Sequence, residues 1–229
     1  MSQLLSIGIL PMLLTLGAYQ VGILIQKKLK SAAANPVLIS VVLVLVFMFV
    51  TGLDNATYQA GMGKMSWLLT PATVCLAIPM YQHFQSLRRN LPAILAGIAA
   101  GAVSCMVMVI LWAMAFHVDH ALAMSMLPKS VTSAIGVPLS EMAGGLSSVT
   151  TAVIIITGIV ANILGSWCCK LFRLTDPVAQ GVALGTAGHV IGTARANEMG
   201  ALTGAVSSLS LVVAGLLTAV IFPLFSSLL

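Results

Sequence analysis

"LPAILAGIAAGAVSCMVMVILWAMAF" occupies Leu91–Phe116 and contains no Asp, Glu, Lys or Arg. A helix of about 20 mostly apolar residues crosses the hydrocarbon core of a bilayer, so this stretch predicts a membrane-spanning helix. The rest of the chain has the same character, because 59% of its 229 residues are apolar and 7% are charged. Its mean hydropathy is +1.10. Soluble domains carry about 25% charged residues, so we expect an integral membrane protein in the lipid bilayer.

Seven other stretches are apolar enough to enter the membrane. Five of them predict spans, namely Leu4–Ile25, Pro36–Gly52, Trp67–Phe84, Val149–Phe172 and Leu202–Leu229. Two more, Ala121–Gly145 and Val178–Gly200, are interrupted by Gly, Pro and charged residues. The runs are continuously apolar rather than alternating, which favours helices over a β-barrel. The predicted fold is an all-α polytopic membrane helix bundle with interrupted or re-entrant helices.

Basic residues in short loops mark the cytoplasmic side of a membrane protein. They occur in "QKKLK" (26–30), "LRRN" (87–90) and "CKLFR" (169–173), whereas the loops around 54–64 and 117–120 carry little positive charge. The N-terminus is therefore predicted outside, and the basic loops in the cytoplasm. On this assignment 121–145 enters the membrane and returns on the same side, with its break at "AIGVP" (134–138).

An internal repeat is suggested by two stretches at an offset of 115 residues. "LLTPATVCLAIPMYQ" (68–82) aligns with "ALGTAGHVIGTARAN" (183–197), sharing two identities. The charge assignment has 36–116 cross in–out–in–out and 147–229 cross out–in–out–in, an inverted relation that many secondary transporters show. We therefore predict one transmembrane domain with repeats at 1–116 and 117–229, and chance similarity stays open as the alternative.

The first interrupted segment, "LPKSVTSAIGVPLSEMAGG" (127–145), predicts an anion site. Lys129, Ser133, Gly136 and Ser140 share one face of a helix. A helix starting after Pro128 would direct its free N–H groups and positive dipole end at one spot beside Lys129. The alternative is that this lysine extends to the lipid headgroups.

The second interrupted segment carries two stripes at helical spacing. One consists of small residues and lets another helix, of this chain or of a second copy, approach closely: Gly181, Gly185, Gly188, Gly192 and Ala196. The other is polar and predicts a cavity lining: Thr186, His189, Thr193 and Asn197. Thr70 and Thr73, near Pro71 and Pro79, are predicted to form a second wall of the site.

Two cations within interrupted segments, Lys129 and Arg195, suit a small carboxylate. Arg195 either pairs with Glu198 or turns toward the cavity at a helix break at Gly192. Ser130, Thr132, Ser133 and Thr193 complete the predicted substrate-binding set. His189, Glu198 and Glu141 are candidates for carrying a coupling proton or ion, and a hydrogen-bonded packing role is the alternative for the histidine.

"LLTPATVCLAIPMY", "LPKSVTSAI", "SEMAGG" and "ALGTAGHVIGTARANE" together resemble the LrgB/CidB family of bacterial inner-membrane proteins, and the resemblance covers nearly the whole chain. Seven residues match the family pattern: Lys129, Ser130, Thr132, His189, Thr193, Arg195 and Glu198. The family reads "LPKSVTTPIA" where this chain has Ser133-Ala134, with Pro138 further on. We therefore expect the helix break to be displaced.

The resemblance implies two functions. Bacterial members are named for modulating murein hydrolase export and autolysis with small holin-like LrgA/CidA partners. The plant chloroplast relative carries glycolate and glycerate, and bacterial relatives are associated with pyruvate or 3-hydroxypropionate. We expect a secondary transporter of small monocarboxylates such as these or lactate, with the autolysis modulator as the alternative. No phosphate loop, HExxH motif or carboxylate pair beside a nucleophile occurs, so no enzyme, cofactor, metal or nucleic-acid partner is predicted.

Overall fold

The computed structural model describes residues 9–29, 35–68, 71, 74–75 and 77–229. Within these residues the regular structure consists of eleven α-helices and no strands, which confirms the predicted all-α class. The chain divides into two compact units, 1–76 and 77–229. Thr70 and Thr73, and with them the predicted second wall of the site, lie outside the described residues.

The first unit contains α1 (Ile9–Leu29), α2 (Pro36–Thr51) and α3 (Asn55–Ser66). Asn35 caps α2, because its Oδ1 accepts the Val37 backbone N–H at 2.8 Å. α1 and α2 approach closely at Gly22, where a Cβ atom would lie 2.7 Å from the carbonyl oxygen of Pro36. The loop predicted around 54–64 is wrong, since α3 occupies it.

The second unit contains eight helices: α4 (Ala77–Gln82), α5 (Phe84–Arg89), α6 (Leu91–Ala115), α7 (His120–Met126), α8 (Ser133–Met142), α9 (Ser147–Leu171), α10 (Pro177–Met199) and α11 (Ala201–Ser226). Three of them, α6, α9 and α11, are long and apolar enough to cross a membrane, as is α1 in the first unit. The bounds of these four helices confirm four of the predicted spans, with differences of a few residues at their ends. Apolar packing around α6 forms the core, with Ile94 and Ile98 fully buried against Val206 of α11.

α10 is a helical hairpin rather than a crossing helix. His189 has φ 42° and ψ −133°, which separates an arm at 177–188 from an arm at 190–199. A Cβ atom on Gly192 would collide with the carbonyl oxygen of Leu184, so the arms pack side by side. The break predicted at Gly192 is therefore wrong by three residues. We call α10 the second hairpin and His189 its tip.

Contacts with α11 show that the two arms run in opposite directions. Along the first arm, Gly181 faces Thr203 and Val206, and Gly185 faces Ser207 and Ser210, so this arm is parallel to α11. Along the second arm the order reverses, because Thr193 contacts Ser207 whereas Asn197 packs on Gly204. The predicted out–in–out–in path through 147–229 is wrong, since α10 enters and returns on one side.

α7, the turn 127–132 and α8 form the first hairpin. A Cβ atom on Gly136 of α8 would lie 3.2 Å from the carbonyl oxygen of Pro128, and one on Gly145 would lie 3.0 Å from the backbone N of Ser125. The predicted return to the same side is confirmed. The break predicted at 134–138 is wrong, because these residues are helical and Pro138 lies inside α8. The helix predicted to begin at Lys129 begins instead at Ser133.

The two hairpins enter the bundle from opposite ends. α6 runs parallel to the first arm of α10, with Gly97 against Val182 and Gly101 against Thr186. α9 runs antiparallel to that arm, with Gly158 against His189 and Gly165 against Leu184. The first hairpin follows the end of α6 and the second follows the end of α9, so they start at opposite ends. Ten helical residues span about 15 Å, roughly half of the 30 Å hydrocarbon core.

Candidate functional site at the hairpin tips

Ile154 of α9 contacts both hairpins at their tips. Its carbonyl oxygen lies 3.0 Å from Nε2 of His189 in the second hairpin. Its Cδ1 lies 2.7 Å from where a Cβ atom of Gly136 in the first hairpin would stand. Since Ile154 is itself buried, the two tips meet beside α9 in the interior of the unit.

A small pocket, with room for about one water molecule, lies between the turn of the first hairpin, α6, α11 and Thr186 of the second hairpin. Its walls are mostly apolar and include the Pro128 ring of the first hairpin. Its polar lining groups come from four separate parts of the chain: Cys105 of α6, Ser130 of the turn, Thr186 of the second hairpin and Thr218 of α11. Cys105 Sγ and Ser130 Oγ are 3.1 Å apart. The pocket therefore offers hydroxyl and thiol groups to a small solute within apolar walls.

Lys129 places a positive charge next to this pocket. Its side chain is half-buried, and Nζ donates to Ser130 Oγ at 3.3 Å. The ammonium group is thus one hydrogen bond from the pocket lining. An ionised lysine at membrane depth costs about 2.5–3.5 kcal/mol on insertion scales, a cost that an anion in the pocket would offset.

Thr132 and Ser133, both half-buried, lie at the start of α8. Thr132 is the N-cap residue and makes no side-chain capping bond. The first N–H groups of a helix have no partner inside the helix and carry partial positive charge. The second arm of α10 also begins at the tips, directly after His189. Two helix N-termini therefore start near the pocket, from opposite ends of the bundle.

His189 is buried and holds the second tip in place. A carbonyl oxygen can only accept, so the ring must carry its proton on Nε2 to bond Ile154. Gly158 makes room for this ring, since a Cβ atom there would lie 2.8 Å from Nε2. A backbone with positive φ costs a non-glycine residue about 1–3 kcal/mol, which this bond helps to offset. The packing alternative for His189 had a hydroxyl as the partner, and the structure shows the Ile154 carbonyl in its place.

The remaining polar stripe of α10 only partly lines a cavity. Thr186 lines the pocket, whereas Thr193 turns toward α11, where its Oγ1 lies 2.8 Å from Ser207 Oγ. Asn197 is exposed. Ser208, one residue further along α11, is fully buried, and its hydroxyl is the one buried side-chain polar group without a partner among the described residues.

Arg195 lies away from the pocket, about 9 Å along the second arm from the tip. Its guanidinium bonds Glu198 Oε2 at 2.5 Å and Ser166 Oγ at 2.7 Å. The pairing considered for Arg195 and Glu198 is confirmed, and the structure does not bring Arg195 together with Lys129. Glu141 accepts from Ser147 at the base of the first hairpin. Both carboxylates thus lie outside the pocket lining.

Glycine contacts confirm the predicted small-residue stripe and show what it packs against. Gly181 and Gly185 face α11, and Gly188 faces Ala161 of α9. The close approach is therefore within the chain. Cys105 and Thr218 are pocket residues that sequence reasoning did not identify. They lie on different helices from the motifs, so no spacing rule connects them to the site. Over the described residues no cluster of His, Cys, Asp or Glu could hold a metal ion.

Three helices long enough to cross a membrane and two opposed hairpins around an internal pocket define a polytopic all-α membrane protein. The pattern of the LrgB-like family matches residues 15–228, and the chain belongs to that family. It is 35% identical over 215 residues to the antiholin-like protein LrgB of Bacillus subtilis (strain 168), covering 93% of each chain. No solved structure matches the chain at a significant level.

Proposed function

We propose that the protein is a secondary transporter of small monocarboxylates, with hydroxy and keto acids such as glycolate, glycerate, lactate, pyruvate or 3-hydroxypropionate as its substrates. The observation that carries the proposal is the pocket between the hairpin tips, which has Lys129 at its edge. One cation and two helix N-termini favour one carboxylate. The hydroxyls of Ser130, Thr186 and Thr218 can bond a substrate's second oxygen.

The pocket is narrow, which favours a short substrate and requires the pocket to widen when the substrate binds. The space is narrow and its walls include the side chains of Met106, Leu127 and Val131, which exclude bulky solutes. A solute reaches it only when a hairpin or crossing helix moves, as alternating access requires. The proposal involves no chemical step.

The proposed location is the bacterial inner membrane, with the N-terminus in the periplasm. α6 begins and α9 ends at the same end of the second unit, and basic residues occur at both places: Arg88, Arg89, Lys170 and Arg173. Such residues favour the cytoplasmic side, so we assign this end to the cytoplasm. The second hairpin then enters from the cytoplasm, and the first from the periplasm.

Uptake of radiolabelled glycolate, lactate and pyruvate into proteoliposomes tests the proposal. We expect saturable uptake that Lys129→Gln weakens about 10- to 100-fold, because a hydrogen bond to a charged group contributes about 1.5–3 kcal/mol. Lys129→Arg keeps the charge and serves as the matched control. Absence of saturable uptake, with or without a holin-like membrane protein in the vesicles, would refute the proposal.

A second candidate is an antiholin-like modulator of murein hydrolase export that acts with a holin-like LrgA/CidA-type partner. The name of the Bacillus subtilis relative favours it. On this proposal Lys129→Gln leaves autolysis unchanged, while deletion of the holin-like partner abolishes the effect of the protein. Lysis assays of cells carrying either change separate the two functions. Self-association is a further open proposal, and cross-linking in membranes would measure it.

A further inference from the structure

Two segments of the second unit show the same order of local features. One consists of α6 and the first hairpin, and the other of α9 and the second hairpin. α6 and α9 are each 25 residues long. After each of them comes a residue with positive φ, His117 at 49° and Arg173 at 53°. An N-capping aspartate then begins each hairpin, Asp119 bonding the N–H of Ala121 and Asp176 that of Ala179.

The correspondence continues to the ends of the hairpins. Thr132 and His189 precede the second arms, and Glu-Met pairs end them at 141–142 and 198–199. Equivalent residues are 56 or 57 positions apart throughout. Since α6 and α9 run in opposite directions, the two copies are inverted. This relation rests on shared local geometry, whereas the proposed offset of 115 depends on 68–82, which the structure describes only in part.

We propose that the two hairpins are the two gates of the pocket, each opening it to the end of the bundle from which that hairpin enters. The inference rests on the proposed transport function. α6 and α11 cross the whole unit, so they form side walls along any path. The turn 127–131 covers the pocket from one end, and the Thr186 arm of the second hairpin lies on the other side.

Besides the bonds of Ser130 to Cys105, His189 to Ile154 and Thr193 to Ser207, further hydrogen bonds tie each hairpin to the crossing helices. The first hairpin is tied to α9 by Ser140 and Thr150, whose hydroxyls are 2.7 Å apart. The second is tied to α9 through Asn162, which donates to the carbonyl of Ile191 at 2.8 Å, and through Arg195. Each of these hydrogen bonds contributes modestly to stability, because breaking it lets both groups find other partners, so the bonds by themselves do not prevent the withdrawal of one hairpin.

Two disulfide locks to the same helix, α11, test the gates separately. The first lock combines Ile135→Cys with Gly215→Cys. In the wild-type protein, Cδ1 of Ile135 lies 2.8 Å from where a Cβ atom on Gly215 would stand. The second combines Thr193→Cys with Ser207→Cys, whose hydroxyls are 2.8 Å apart. The side chains of each pair are in contact, and loss of free thiols on oxidation shows whether the disulfide has formed. Cys75, Cys168 and Cys169 are replaced by serine, which leaves Cys105 as the reporter in the pocket.

The measurement is modification of Cys105 by a membrane-impermeant thiol reagent, applied to right-side-out and inside-out vesicles and read by mass spectrometry. Without locks we expect modification from both sides. The first lock should abolish modification from the side that the first hairpin enters and leave the other side open. The second lock should do the reverse, and a reducing agent should restore both.

Three results would overturn the inference: both locks blocking the same side, either lock blocking both sides, or no modification from either side without locks. Two other pairs serve as substitutes when a locked variant does not elute as a folded protein. They are Ser140→Cys with Thr150→Cys for the first hairpin, and Leu184→Cys with Gly165→Cys for the second. Thiol labelling needs no carboxylate. If the locks change the labelling as expected but no carboxylate is taken up, the gate proposal stands and the proposed transport function fails. If carboxylate is taken up but the locks do not change the labelling, only the gate proposal fails.

Discussion

Gly192→Ala should destabilise the protein by about 2 kcal/mol, because an alanine methyl group there would collide with the first arm of the second hairpin. The obstacle is the carbonyl oxygen of Leu184, a backbone atom that cannot rotate away. Overpacking costs about 1–3 kcal/mol. Forcing the arms apart would also weaken the bonds from His189 to Ile154 and from Asn162 to Ile191, each contributing about 1 kcal/mol. The higher helix propensity of alanine returns at most about 1 kcal/mol.

Heating purified protein in detergent and measuring the fraction that remains monodisperse compares this variant with wild type. Gly17→Ala is the matched control. Gly17 lies inside α1, and nothing stands within 4 Å of an added Cβ atom, so alanine should be neutral or stabilising. In a continuous helix the Leu184 carbonyl would be about 12 Å from Gly192, because eight residues rise that far. Equal stability of Gly192→Ala and Gly17→Ala would therefore refute the hairpin.

Three further variants address the caps, the ion pair and the tip. Asp176→Ala should cost about 1 kcal/mol through the lost N-cap of α10, measured by the same heating assay. Glu198→Gln should change stability by less than about 1 kcal/mol and leave the KM for carboxylate uptake unchanged, since a partly exposed ion pair contributes little and Glu198 lies outside the pocket lining. Gly158→Ala should cost about 1–3 kcal/mol by displacing the His189 ring, and a double-mutant cycle with His189→Ala should show coupling between the two positions.

The crossing helices could be predicted from the sequence because their cause is local. A run such as 91–116 must satisfy its backbone within one helix when no water is present, and composition alone identifies it. The small-residue stripe followed from the same logic, since Gly181 and Gly185 at helical spacing permit a close neighbour. Which neighbour approaches is a tertiary fact, and the structure identifies it as α11.

The two breaks were harder to place because local rules indicate other residues. Glycine is the residue expected at positive φ, which favoured Gly192, yet the chain reverses at His189. Its conformation is stabilised by the carbonyl of Ile154, 35 residues earlier in the chain. Likewise Pro138 favoured a break within α8, but a proline is tolerated inside a membrane helix where neighbouring groups cover the freed carbonyl. The reversal at His189 thus depends on a contact with α9 that no local pattern encodes.

Polar groups that are dispersed in the sequence converge at the tips of the two hairpins. A helix that ends at mid-depth leaves several N–H or C=O groups unpaired, and in hydrocarbon each costs several kcal/mol. The tips must therefore be covered by protein groups or by a bound solute. In the second hairpin Thr193 donates to the carbonyl of His189 and Asn162 to that of Ile191, and in the first hairpin backbone N–H groups of the turn bond the carbonyls of Met126 and Pro128. The start of α8 has no side-chain cap, so on the proposed function its free N–H groups are available to a bound carboxylate.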